Sequence, residues 1–131
     1  MTDKLVTTIF VVDDDESVRR SLKRLMKSAG LKVETFASAR EFLNTGGTRR
    51  TGILVVDVRM PEMTGLELQK QLAASGAETP VIFISAHEDY QSVEMALAAG
   101  AVAFLYKPFD DQDLLAAIYR ALDQSAKDRA D

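Results

Sequence analysis

The stretch Thr8-Ile9-Phe10-Val11-Val12-Asp13-Asp14-Asp15 sets a β-favouring, mostly apolar run directly against three carboxylates. Valine, isoleucine and phenylalanine suit a pleated, close-packed surface. A run that is apolar at nearly every position, rather than at alternate ones, fits a strand buried on both faces of a parallel sheet. Runs of the same kind return at Lys32–Phe36, Ile53–Val56, Val81–Ile84 and Ala103–Tyr106.

Between them the apolar period changes. Val18, Leu22, Leu25, Met26 and Ala29 recur at helical spacing and stop at Gly30, a residue suited to the position just past a helix end. Ser38 with Glu41, and Thr64 with Glu67, each read as a capping box, in which hydroxyl and carboxylate satisfy free backbone donors. Leu66, Leu68 and Leu72 continue the second of these. Val93, Ala96 and Leu97, with Gly100 as the stop, mark a fourth helix, and Leu114, Leu115, Ile118, Tyr119 and Leu122 give a fifth its apolar stripe. Strand and helix thus alternate five times. That predicts an α/β three-layer sandwich of the flavodoxin-like kind, with a five-stranded parallel sheet of order 2-1-3-4-5 and five helices. The polar residues 125–131 lack the stripe and read as a tail or the start of a linker, leaving 1–124 as one domain.

Bulk properties narrow the function. A chain of 131 residues accommodates one such domain. A net charge of −4 with scattered basic residues argues against nucleic-acid binding by this domain, which needs a clustered basic surface. With no cysteine, disulfides, zinc thiolates and thiol nucleophiles are excluded. No apolar run approaches the ~18 residues of a membrane span, and Met1–Lys4 lacks a signal peptide's apolar core. A soluble, cytoplasmic protein without membrane contact is expected.

In an open parallel sheet the site lies beyond the carboxyl ends of the strands, where the strand order reverses. After the first strand come Asp13, Asp14 and Asp15; after the third, Asp57; after the fourth, Ser85; after the fifth, Lys107 and Pro108. Crowded carboxylates repel, and a hard cation with oxygen ligands relieves them. Magnesium suits the set, because it takes one or two carboxylates together with phosphate oxygens and water. A metal, a hydroxyl and an ammonium can then stabilise a phosphoryl group while a carboxylate attacks phosphorus in line.

Four segments carry a resemblance: Val11-Val12-Asp13-Asp14; Val55-Val56-Asp57 with Met60-Pro61 and Gly65; Ile84-Ser85-Ala86; and Lys107-Pro108-Phe109. Together, in order and at strand ends, they resemble the signature of bacterial two-component response-regulator receivers, over about Thr8 to Leu122. The stretches from Asp57 to Leu68 and from Lys107 to Asp110 are most similar to the nitrogen-fixation class, which carries a LuxR-type helix-turn-helix. The resemblance implies that Asp57 is the phosphoacceptor and that Mg²⁺ or Mn²⁺ is the cofactor. It implies Asp14 and Asp57 as direct metal ligands, the Arg59 backbone carbonyl as another, and Asp13 as a ligand through water. Ser85 and Lys107 would grip the phosphoryl group, Ser85 and Phe104 would form the switch, and Arg59 and His87 would tune the phosphoryl lifetime. The implied partners are a sensor histidine kinase and, on phosphorylation, a second copy of the chain. Such a protein is a signalling phosphoacceptor, catalysing only its own phosphorylation and dephosphorylation.

Each residue also has a plainer reading. Asp15 fits a helix N-cap, and Ser85 taken alone fits one as well as a site hydroxyl. Lys107 alone is a surface lysine, although a cis bond to Pro108 would aim it inward. Phe104 and Tyr106 share alternate strand spacing, for which core packing is the default. Three other functions fit the sequence less well. A phosphatase with an aspartate nucleophile needs a second acid two residues on, where Arg59 stands. A nucleotide-binding turn needs glycines where the three aspartates lie. A pseudo-receiver that never takes phosphate, acting only as a binding module, sits poorly with the intact acceptor, hydroxyl and lysine.

Overall fold

The computed structural model describes residues 7–86 and 90–130. Its elements follow in order: β1 (Thr8–Val12), α1 (Glu16–Ser28), β2 (Lys32–Phe36), α2 (Ala39–Asn44), a 3-10 turn (Gly47–Arg49), β3 (Gly52–Asp57), α3 (Gly65–Ala74), β4 (Val81–Ser85), α4 (Tyr90–Ala98), β5 (Ala103–Tyr106) and α5 (Asp111–Ala130). All pairings are parallel and the order is β2-β1-β3-β4-β5. The expected architecture is therefore the observed one.

Burial divides the strands as position in the sheet requires. β1, β3 and β4 are buried at every residue, whereas the edge strands β2 and β5 are only partly covered. Side-chain alternation then sends two sets of residues to opposite faces. Ile9, Val11, Ile53, Val55, Ile82 and Ile84 meet Leu22 and Met26 of α1 and Leu114, Ile118 and Leu122 of α5. Phe10, Val12, Leu54, Val56 and Phe83 meet Phe42 of α2, Leu68 and Leu72 of α3 and Ala96 of α4. Fully burying each large aliphatic or aromatic side chain contributes about 1.5–3 kcal/mol, so these two layers hold the strand ends rigidly.

The helix signals are mostly realised. Asp15 caps α1, its Oδ1 accepting from Ser17 N at 2.9 Å and Ser17 Oγ at 2.7 Å. Gly30 follows α1 at φ +75°, a conformation that a side chain disfavours. Thr64 and Glu67 form the reciprocal box. At α2, Glu41 N donates to Ser38 Oγ at 3.1 Å, but the Glu41 carboxylate accepts from Ala37 N at 3.0 Å, one residue earlier than a capping box requires.

Two expectations are corrected. Tyr119 and Leu97, placed on apolar stripes by spacing, are 41% and 48% exposed, because only one side of each helix meets the sheet. Tyr106 is 36% exposed rather than core, since it closes the edge strand β5. The α5 backbone is helical from Asp111 to Ala130.

Candidate functional site

Strand register brings the site together. Val12 of β1 is level with Val56 of β3, so Asp13 and Asp57 leave the sheet side by side. Asp57 is level with Ile84, and Ser85 with Tyr106, which places Ser85 and Lys107 one step further along the same rim. Adjacent strands lie ~4.8 Å apart, so groups at successive strand ends are within reach of one another. Carboxylate oxygens of Asp13, Asp14 and Asp57 lie within 4.8 Å of each other. Asp13 is fully buried, Asp57 nearly so, and Asp14 is open to solvent.

Lys107 bridges the two buried acids. Its Nζ donates to Asp13 Oδ2 at 2.8 Å and to Asp57 Oδ2 at 3.4 Å. The Lys107–Pro108 peptide is cis. Burial opposes the lysine's charge, but the hydrogen bond and the charge of Asp13, with smaller help from Asp57, outweigh it and raise its pKa. The Asp57 carboxyl is also pushed up, first by burial and then by the charge of Asp13, against weaker opposition from Lys107 and the Arg59 N–H. The unequal distances reconcile these directions. The ammonium is committed chiefly to Asp13, and Asp57 is left undercompensated. Three close carboxylates facing one ammonium form a donor set that a hard divalent cation fits.

The rest of the rim fixes Asp57. Arg59 N donates to its Oδ1 at 3.3 Å, and Gly65 N donates to Val58 O at 2.9 Å, folding the loop back beside the acceptor. The Arg59 side chain is exposed. Ser85 is 2% exposed and ends β4, five residues before α4 begins, so it is a strand residue rather than that helix's cap. Phe104 is partly buried, stacked on Phe83 with ring centroids 5.9 Å apart and followed by Tyr106 at 5.5 Å. His87 lies outside the described residues.

One participant escapes sequence reasoning. Arg19, on α1, donates from Nη1 to the backbone carbonyl of Asp13 at 2.8 Å. A contact to backbone has no residue-type signature in a sequence; the only available signal is a basic residue about one helical turn past an N-cap.

The chain is similar to known proteins along most of its length. The model of the response regulator receiver domain matches residues 9–119. The response regulator protein TmoT of Ectopseudomonas mendocina is 48% identical over 88% of this chain and 53% of its own length. The transcriptional regulatory protein FixJ of Azorhizobium caulinodans is 44% identical over 91% of this chain and 56% of its own. The solved structure of the response regulator StyR superposes with a TM-score of 0.88 at 48% identity, covering 95% of this chain and 63% of that one. The chain thus spans about half the length of the curated relatives it matches.

Proposed function

The chain belongs to the response regulator receiver domains, and on that premise we propose that Asp57 accepts a phosphoryl group from a sensor histidine kinase in a Mg²⁺- or Mn²⁺-dependent reaction. The observation that carries this reading is the undercompensated Asp57 carboxylate, grouped with Asp13 and Asp14 and 3.4 Å from Lys107. An Asp57 oxygen attacks phosphorus, the P–N bond of the phosphohistidine breaks, and its electron pair returns to the imidazole, which takes up a proton. Lys107 and the Ser85 hydroxyl then hold phosphoryl oxygens. The divalent cation, held by Asp14, Asp57 and the Arg59 carbonyl directly and by Asp13 through water, would supply further positive charge there. The protein acts as a signalling phosphoacceptor and not as an enzyme on outside substrates.

Output follows from the rim. A phosphoryl group beside Ser85 draws its hydroxyl inward, and Phe104 turns into the space released. The surface coupled to that motion carries exposed apolar residues on α4, β5 and α5, among them Met95, Leu97, Tyr106 and Tyr119. Pairing of two copies through it accounts for apolar exposure on a monomer. The receiver unit is 1–124, with 125–131 as a tail or the start of a linker. The net charge of −4 speaks against direct nucleic-acid contact by the domain itself, and no described helix is long and apolar enough to cross a membrane. A cytoplasmic location fits a histidine-kinase partner. Arg59 and His87, two residues beyond acceptor and hydroxyl, set the phosphoryl lifetime by governing access of water.

Intact-mass measurement with acetyl phosphate and Mg²⁺ tests the acceptor. One added phosphoryl group is expected in the parent and none in Asp57→Asn or in chelator. Equal labelling of the variant would overturn the assignment. Sedimentation with beryllofluoride and Mg²⁺ tests pairing: a shift from monomer to dimer is expected, and an invariant monomer would remove it.

A further inference from the structure

We propose that Arg19 is a positioning residue for the metal site, acting through the backbone of Asp13; this rests on the metal-dependent reading above. Asp13 is fully buried and tied at every polar handle. Its N–H donates to Phe36 O at 3.1 Å, its Oδ1 accepts from Asp15 N at 2.9 Å, and its Oδ2 accepts from Lys107 at 2.8 Å. The Arg19 guanidinium takes the remaining handle, the carbonyl oxygen, at 2.8 Å. That carbonyl belongs to the peptide linking Asp13 to Asp14, so its direction sets the direction from which Asp14 starts. Asp14 is the exposed member of the carboxylate group and the one with least else to aim it.

The choice of acceptor matters chemically. A cation bonded to a carboxylate of the group would compete with a metal for that oxygen. Arg19 bonds the peptide oxygen instead and leaves the carboxylates available. Its hydrogen bond to a carbonyl is charge-assisted, hence stronger and more directional than a neutral one. Groups that orient the ligands of a metal without touching it commonly govern its affinity.

Positioning and simple electrostatics predict opposite signs. Removing a positive charge near an acidic site should tighten cation binding through the Coulomb term. Removing an aiming contact should weaken it. Arg20, the next residue, supplies a control: it is exposed and pairs with Glu16 at 2.9 Å across one turn of α1. Substituting it removes the same charge from the same helix.

Mn²⁺ binding to the whole chain, followed by the electron spin resonance of free Mn²⁺, decides the matter without any phosphorylation. Arg19→Met keeps most of the side chain's packing and should weaken Mn²⁺ about ten-fold, the lower end of what outer-shell partners contribute. Arg19→Lys, which can still donate to the carbonyl, should stay within about three-fold of the parent. Arg20→Met should bind as tightly as the parent or tighter. Urea unfolding of each variant in chelator separates a lost fold from a lost aim. If Arg19→Met is unfolded, the comparison passes to Arg19→Ala, which likewise cannot donate to the carbonyl, and parental affinity of that variant would overturn the role. Affinity of a folded Arg19→Met that equals or exceeds the parent's would overturn the role of Arg19 alone. Failure of the parent itself to bind Mn²⁺ would overturn the metal site and this role together.

Discussion

A β-carbon added at Gly65 would stand 2.5 Å from the backbone carbonyl oxygen of Asp57. No real β-carbon approaches backbone so closely, and the obstructing atom is not the end of a flexible side chain. The first residue of α3 is therefore glycine because the acceptor's own peptide passes beside it. Gly65→Ala should cost about 1–3 kcal/mol, as overpacking does, and should slow phosphorylation because the displaced atom belongs to Asp57. Urea midpoints and the labelling rate with acetyl phosphate measure the two effects. A stable variant labelled at the parental rate would mean that the loop relaxes freely.

The raised pKa of Asp57 has a pH consequence. Burial, and next the charge of Asp13, make protonation easier in the folded chain than the ordinary 3.8 implies. A group with a raised folded pKa contributes stability that is complete below its unfolded pKa and lost as pH rises through the folded one. In chelator, Asp57→Asn should therefore be more stable than the parent near neutral pH, and the advantage should shrink toward about pH 4. Saturating Mg²⁺ should reverse the order by binding the parent's folded state. Denaturant midpoints at the two pH values, with and without metal, provide the check.

Glu62, in the loop between β3 and α3, has a φ of +69°. A side chain in that region costs about 1–2 kcal/mol, against about 0.5–1 kcal/mol for the extra unfolded-state freedom of glycine. Glu62→Gly should consequently gain roughly 0.5–1 kcal/mol and raise the melting temperature by about 2–4 °C. A lower melting temperature would show that the glutamate side chain has a compensating role.

Arg50 links the start of β3 to the edge of the sheet. Its Nη1 donates to Glu34 Oε1 at 2.8 Å, its Nη2 bonds Glu34 Oε2, and its Cζ lies 4.8 Å from the Phe10 ring centroid. The hydrogen bond from Arg50 holds the Glu34 carboxyl below its usual 4.5. Stability from this pair is thus present above about that pH and lost as pH falls through the depressed value. The pair is about one-third exposed, so Glu34→Gln should cost at most about 1 kcal/mol at neutral pH, vanishing in acid. Arg50→Ala should cost about 0.5–1 kcal/mol more, through the lost contact with the ring. Thermal melts across the pH range compare the two.

The fold was legible where burial is continuous. β1, β3 and β4 advertise themselves as apolar runs because both faces are covered, and strand order then places Asp13, Asp57, Ser85 and Lys107 on one rim. What stayed hidden depends on distances finer than register. Nothing in the residue types says that Lys107 sits nearer Asp13 than Asp57, or that Asp13 is sealed from solvent while its neighbour Asp14 is open. Arg19 is invisible for a related reason, since its partner is a peptide group that every residue possesses. Tyr106 and Tyr119 have the spacing of core residues, yet Tyr106 closes an edge strand and Tyr119 lies on a side of α5 that does not meet the sheet.

The site draws on the sheet only at its carboxyl rim, and this assigns very different tolerances to the two ends of the molecule. Connections from helix to strand, such as residues 75–80 and 99–102, all run along the opposite rim. There the chain can accept insertions or deletions, because strand pairing upstream meters the spacing of Asp13, Asp57 and Lys107 regardless of how each strand is entered. One residue added between Val56 and Gly65, or between Tyr106 and Asp111, has no such buffer and shifts a reacting group directly.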